Sequence, residues 1–164
     1  MVYLIADTHF GHHNIIEYEE RPFKSVKEMD EIMIERWNKT VNKNDIVYHL
    51  GDFFLCSTDR QFEVFNQLNG EIVLIRGNHD QQSRHKLLNR IGFKEVYSPY
   101  TKLDKFYLSH RPMFDKLKSD YYNIHGHQHG LTYKNSKSDK SDKHICVSVE
   151  LIDYKPISMG DLKI

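Results

Sequence analysis

Short apolar runs alternate with amphipathic stretches along this chain, and each run ends in residues able to do chemistry. Val2 to Ala6 leads into Asp7 and His9. Asp45 to Leu50 leads into Gly51 and Asp52, and Glu71 to Ile75 into Arg76, Gly77, Asn78, His79 and Asp80. Lys105 to Leu108 leads into Ser109, His110, Arg111 and Pro112, and Tyr121 to Ile124 into His125, Gly126, His127 and His129. Short runs rich in β-branched and aromatic side chains, bounded by polar residues, predict buried strands.

Between the runs the apolar spacing becomes that of a helix. Val26 to Val41 places Val26, Met29, Ile32, Met33, Trp37 and Val41 near helical spacing, behind a Ser25 that can cap it together with Glu28. Thr58 to Leu68 sets Phe62, Phe65 and Leu68 on one face, with Thr58 as the expected N-cap. Gln81 to Ile91 carries Leu87, Leu88 and Ile91 and stops at Gly92. The β–α–β–α–β order predicts an α/β fold. Ile145 to Leu151 alternates as a closing strand, and a further short strand is expected near Pro156 to Met159. The polar, low-complexity stretch Asn135 to Lys143 reads as a loop inside the last strand pair. No repeat or linker divides the chain, so residues 1–164 are expected to form one domain.

Composition narrows the function. Hydrophobic residues make up 39% and charged residues 28%, as in a soluble globular chain. The 23 basic residues balance 23 acidic ones, which argues against a protein living on nucleic acid, although a local patch would still allow it to cut one. The apolar stretch before Asp7 is too short for a signal peptide or membrane span. Cys56 and Cys146 stand far apart, which speaks for a reduced, cytoplasmic protein rather than a disulfide framework. Histidine is the unusual count: there are 11, and imidazole is the commonest metal ligand.

Open α/β sheets gather their ligands at the carboxyl ends of the strands, so the five clusters can converge. Asp7-x-His9 and His127-x-His129 each put two donors on one side of an extended segment. Asp52 follows a glycine that allows close backbone approach. Together Asp7, His9, Asp52, Asn78, His110, His127 and His129 offer oxygen and nitrogen but no thiolate. That donor set suits Mn, Fe, Zn or Ni, with Mn favoured. Seven ligands are too many for one tetrahedral site and fit two ions that share a carboxylate, about 3.5–4 Å apart, clamping a phosphoryl group.

Taken in order, Asp7-x-His9, Gly51-Asp52, Gly77-Asn78-His79-Asp80, His110 and Gly126-His127-x-His129 resemble the calcineurin-like metallophosphoesterase superfamily. The motifs span residues 7 to 129, about three quarters of the chain. The resemblance implies a sandwich of two mixed β-sheets flanked by helices, closed by the tail Ile145 to Ile164. It implies a first metal on Asp7, His9 and His129, a second on Asn78, His110 and His127, and Asp52 as the bridge. A metal-bridging hydroxide would attack phosphorus, His79 would touch substrate as general acid or electrostatic stabiliser, and Asp80 would orient His79. The second motif continues Phe53-Phe54-Leu55 and the third ends in Asp80, unlike the protein Ser/Thr phosphatase branch. The segment Asp7 to Ile16, with Arg21-Pro22-Phe23 after it, is similar to a short bacterial or phage-type subgroup without large caps.

Three further residues are candidate substrate contacts. His12 lies one helical turn beyond His9, Arg111 directly follows His110, and Arg21 precedes Pro22. Their alternatives are a loop histidine and two surface salt bridges. His49, His85, His125 and His144 read as structural. The expected activity is hydrolysis of phosphodiesters or phosphomonoesters of small molecules, nucleotides among them. A nuclease and a non-catalytic scaffold for a protein partner are the competing readings.

Overall fold

The apolar runs before Asp7, Asp52 and Asn78 pair side by side. The computed structural model describes residues 1–80, 85–113, 117, 120–130 and 142–162. Strands β1 (Val2–Ile5), β2 (Ile46–His49), β3 (Glu71–Ile75) and β4 (Glu95–Tyr97) run parallel, and β9 (Ile157–Ser158) lies antiparallel on β1. The order is β4-β3-β2-β1-β9. A second sheet has the order β5-β6-β7-β8, from Tyr100–Leu103, Phe106–Ser109, Tyr122–His125 and His144–Cys146. Only its β5–β6 pair is antiparallel. The fold is therefore two mixed sheets with flanking helices.

Alternation along β1 divides the core. Tyr3 and Ile5 face helix α2 (Val26–Thr40) and its neighbours, in a cluster with Met29, Met33, Trp37 and Phe53. Leu4 and Ala6 face the other sheet, against Leu50, Ile75, Phe106, Leu108, Ile124 and Val147. A strand buried on both faces reads as a continuous apolar run, which is why β1 and β3 stand out in the sequence. Helix α2 starts as expected: the Ser25 hydroxyl accepts from Glu28 N at 3.2 Å. The Glu28 carboxylate accepts from Lys24 N.

Several boundaries differ. Helix α3 (Thr58–Phe65) is capped by Ser57, which accepts from Arg60 N, and Thr58 is its first helical residue. Helix α4 is described over His85–Ile91. Residues 81–84 of the expected helix lie outside the described residues, as do residues 135–141 of the expected polar loop. A short helix α1 (Ile15–Tyr18), β4 and β5 were not signalled by periodicity. The expected strand Ile145 to Leu151 is corrected: β8 ends at Cys146, and Val149–Leu151 form a 3-10 turn. The cause is a change of partner. Val147 N still donates to His125 O in the second sheet, but Val147 O accepts from Ala6 N and Val149 N donates to Ala6 O in the first. Among the described residues no helix is long and apolar enough to cross a membrane.

Candidate metal centre

Asp7, His9, Asp52 and His127 share an uncommon backbone state, with φ of 59°, 50°, 56° and 69°. A non-glycine residue held there costs about 1–3 kcal/mol. Buried neighbours hold them in place. Asp7 N donates to Gly51 O, His9 N to Asp52 O and Phe10 N to Phe53 O, so the loops after β1 and β2 lie side by side. Phe10 and Phe53 are fully buried, with ring centroids 5.8 Å apart. Each such burial contributes roughly 1.5–3 kcal/mol, enough to offset the strain at the residue before it. This explains why aromatic residues follow both His9 and Asp52. Two glycines allow the remaining loops to close in. A Cβ on Gly77 would lie 2.1 Å from Asp52 Oδ1, and one on Gly126 would lie 2.6 Å from Asp7 Oδ2.

The convergence produces two groups. Asp7, His9 and His129 bring one ligand atom each within 4.8 Å of one another, and Asp52, His110 and His127 do the same. Asp52 faces both, its Oδ2 lying 3.8 Å from His9 Nε2 and 3.4 Å from His110 Nε2. Asn78 joins the second group, with Oδ1 2.9 Å from His110 Nε2. His127 Nδ1 lies 3.2 Å from the same nitrogen.

The donor chemistry fits metal ions. His110 Nδ1 donates to Leu50 O at 2.9 Å, which leaves Nε2 as a lone pair. That lone pair then faces a carboxylate oxygen, an amide oxygen and a second imidazole nitrogen, an arrangement a cation stabilises. In the first group Asp7 Oδ1 and both His9 ring nitrogens are buried without a hydrogen-bond partner. Such groups are costly unless something polar completes them.

Charge follows burial. Desolvation pushes the Asp7 carboxyl up to about 7, against the opposing pull of His129 and the Ser148 hydroxyl. It pushes His110 and His127 down to about 4 and His9 well below its usual range. Desolvation also opposes charge on His129, but the Glu150 hydrogen bond and the Asp7 and Glu150 charges outweigh it and raise that residue. A metal takes carboxylate ionised and imidazole neutral. His110 and His127 meet that condition at neutral pH, whereas Asp7, pushed up to about 7, must give up a proton, and the upward shift of His129 acts in the same direction. Uptake by the first group should therefore strengthen as pH rises through about 7 and weaken as it falls. Calorimetric titration of metal-free protein with Mn at pH 6 and 8, in buffers of different ionisation enthalpy, should show proton release and weaker binding at pH 6. Equal affinity at both values without proton release would contradict it.

The remaining expected residues are placed differently. His79 is half-buried beside the first group, its ring 5.3 Å from that of His9, and its N–H donates to Asp52 Oδ1 at 2.9 Å. Asp80 does not fit the expected role of orienting that ring. Its carboxylate accepts from the backbone N–H groups of Asp52, Gly77 and Phe53, at 2.7, 2.8 and 3.0 Å, and so ties two motifs together. Arg21 is also corrected as a substrate contact. It is buried, and its guanidinium donates to Asp7 O, Thr8 O and Glu150 Oε1, so it faces inward. His12 is half-buried with its ring 5.5 Å from His9, while Arg111 is exposed.

Two residues were missed. The Ser148 hydroxyl donates to Asp7 Oδ2 at 2.6 Å, and Glu150 Oε1 accepts from His129 Nδ1 at 3.1 Å. Both lie in a stretch that reads as an ordinary alternating strand, so no local signal marks them.

Comparison with known proteins bears on the family and the fold. A sequence profile of the calcineurin-like phosphoesterases matches residues 1–157. An uncharacterized protein of Methanocaldococcus jannaschii is 41% identical over 167 residues, 96% of this chain and 86% of its own. The gene 66 protein of Mycobacterium phage L5 is 32% identical over 91 residues, which are 51% of this chain and 44% of that protein. A protein of unknown function from Aquifex aeolicus has a TM-score of 0.73 at 29% identity, over 98% of this chain and 96% of its own. Nuclease MPE of Pseudomonas putida, 22% identical with a TM-score of 0.53, shares the fold over 77% of this chain and 60% of its own. With the profile matched over nearly the whole sequence, and the motifs meeting at one edge of the two-sheet sandwich, the chain belongs to the calcineurin-like phosphoesterase family.

Proposed function

We propose that the protein is a dinuclear metal-dependent phosphoesterase that hydrolyses phosphodiester or phosphomonoester bonds of small molecules, nucleotides among them. The observation that carries this reading is the pair of Asp/His groups with Asp52 facing both. Asp7, His9 and His129 would hold one ion, Asn78, His110 and His127 the other, and Asp52 both, with Mn favoured. Ions held there supply Lewis acidity toward phosphoryl oxygens and a hydroxide nucleophile at neutral pH.

The chain's own residues complete the chemistry. His79, half-buried beside the first group, protonates the leaving oxygen. Its backbone N–H fixes Asp52 Oδ1, and the Asp80 carboxylate fixes the backbone on either side of Asp52 and at Gly77. Arg111 is exposed, and its positive charge is felt at Asp52, His110 and His127, so it is placed to draw in a phosphoryl oxygen. His12 flanks His9 and reaches the esterified group. The balanced charge favours small substrates over nucleic acid. Free Cys56 and Cys146 suit the reducing cytoplasm.

The test is hydrolysis of a chromogenic diester and monoester by the Mn-loaded protein. Turnover should vanish on chelation and return with Mn. Failure on both esters, with metal bound, would sink the reading. Faster cleavage of an oligonucleotide, falling steeply with salt, would replace it with a nuclease.

A further inference from the structure

The side-chain supports of the two proposed metal positions differ. His110 in the second group rests on the Leu50 carbonyl, and Asp52 rests on Asp80 and His79 through backbone N–H groups. In the first group Asp7 Oδ2 accepts from the Ser148 hydroxyl and the His127 backbone N–H, and the other supports run through one buried ion pair. Arg21 and Glu150, 129 residues apart, meet at 2.6 Å from Nη2 to Oε1, with a second bond of 2.9 Å from Nε to the same oxygen. Their side chains are 0% and 6% exposed.

Apart from a contact of Arg21 Nη1 with Met29 Sδ and its packing over Tyr154, the other polar bonds of this pair's side chains lead to the first group. Arg21 Nη2 also donates to the carbonyl of Asp7 at 2.7 Å, and Nη1 donates to the carbonyl of Thr8 at 2.9 Å, between the two ligands Asp7 and His9. Glu150 Oε1 receives the third ligand's ring, His129 Nδ1, at 3.1 Å. A carboxylate only accepts, so Nδ1 carries the hydrogen and Nε2 is left as the lone pair for a metal. Asp7 and His9 come from the loop after β1 and His129 from the loop after β7, and this pair is where the two loops are tied together. No side chain of the second group hydrogen-bonds to Arg21 or Glu150 among the described residues.

We infer that Glu150, with Arg21, is a positioning residue dedicated to one of the two metal ions. It sets the tautomer of His129 and the spacing of the Asp7–His9 loop, and the other ion does not depend on it. The inference rests on the two-ion reading above. Removing an outer partner of a metal-bound histidine typically weakens metal affinity roughly 10- to 100-fold. Here that loss should fall on one ion of the pair.

The experiment is metal titration of metal-free protein, read as stoichiometry and as the absorption of bound Co(II), with no activity assay. Wild-type protein should bind two ions per chain. Glu150→Gln keeps an acceptor for Arg21 and His129 but removes the charge, and should weaken one ion and spare the other. Glu150→Ala should weaken that ion roughly 10- to 100-fold while sparing the other, and His129→Ala, which removes the ligand itself, should weaken it further. Because an unpaired buried Arg21 can prevent folding, the double variant Arg21→Met with Glu150→Met, which removes both charges of the pair, serves as the second arm. It should likewise weaken one ion and spare the other. Equal weakening of both ions, or two ions at wild-type affinity in Glu150→Ala or the double variant, overturns the inference while leaving the two-ion reading intact. A wild-type chain that binds a single ion overturns both.

Discussion

Asp52→Asn should lower kcat/KM on phosphoesters by roughly 10³-fold, because metal charge supplies several kcal/mol at the transition state and each 1.36 kcal/mol is a factor of ten. Asn keeps the size of Asp52 and can still accept from His79 N–H, whose 2.9 Å bond goes to Oδ1. What it removes is the ionised oxygen that faces both groups, at 3.4 and 3.8 Å from their imidazoles. Both ions should therefore bind more weakly. Metal-free Asp52→Asn, by contrast, should melt no lower than metal-free wild type. Desolvation raises the Asp52 carboxyl, which marks its ionised form as unfavourable in the folded, metal-free chain. A metal titration monitored by thermal melting separates the two effects, since an ion bound only to the folded state raises Tm. Two ions bound at wild-type strength would remove Asp52 from the bridging position.

His79→Ala should lower turnover by about 10²- to 10⁴-fold, the usual worth of a positioned acid or base. Its metal content should equal that of wild type, because the contact from His79 to Asp52 is made by backbone N–H and survives the substitution. The deficit should also depend on the leaving group. A nitrophenolate departs without a proton, whereas an alkoxide needs one, so the loss should be largest on alkyl esters and smallest on chromogenic ones. An equal loss on both ester types, or a parallel fall in metal content, would assign His79 a different role.

The parts of the site legible in the sequence share a physical origin. A strand buried on both faces must be apolar throughout, so the break at Asp7, at Gly51-Asp52 and at Gly77-Asn78 is abrupt. Glycines at 77 and 126 are likewise legible, because a Cβ at either place would collide with Asp52 or Asp7. What was not legible depends on partners distant in sequence. Arg21 in an Arg-Pro-Phe segment looks like an anion contact, and only the fold shows it turned inward onto Asp7 O, Thr8 O and Glu150. Glu150 and Ser148 sit in an alternating stretch that predicts a strand, and the stretch leaves β8 because its backbone changes sheets at Val147. Strands β4 and β5 are short and half-exposed, which leaves little hydrophobic pattern to read. The three backbone bonds of the Asp80 carboxylate, to Asp52, Phe53 and Gly77, cannot be inferred from motif spacing.

The crossing of the backbone from β8 to Ala6 has a consequence for the order in which the molecule is made. Asp7 waits for Ser148, 141 residues later, and Arg21 waits for Glu150. During synthesis, α2 and β1 to β3 can begin to pack while the chain is still growing, because their contacts are comparatively close in sequence. The loop carrying Asp7 and His9 gains Arg21 and the Gly51–Phe53 backbone early, but its Ser148 and Glu150 supports come only when residues 148–150 leave the ribosome. A nascent chain thus pairs the Asp7–His9 and Asp52 loops first, and the supports from Ser148 and Glu150 close only after residue 150 has emerged.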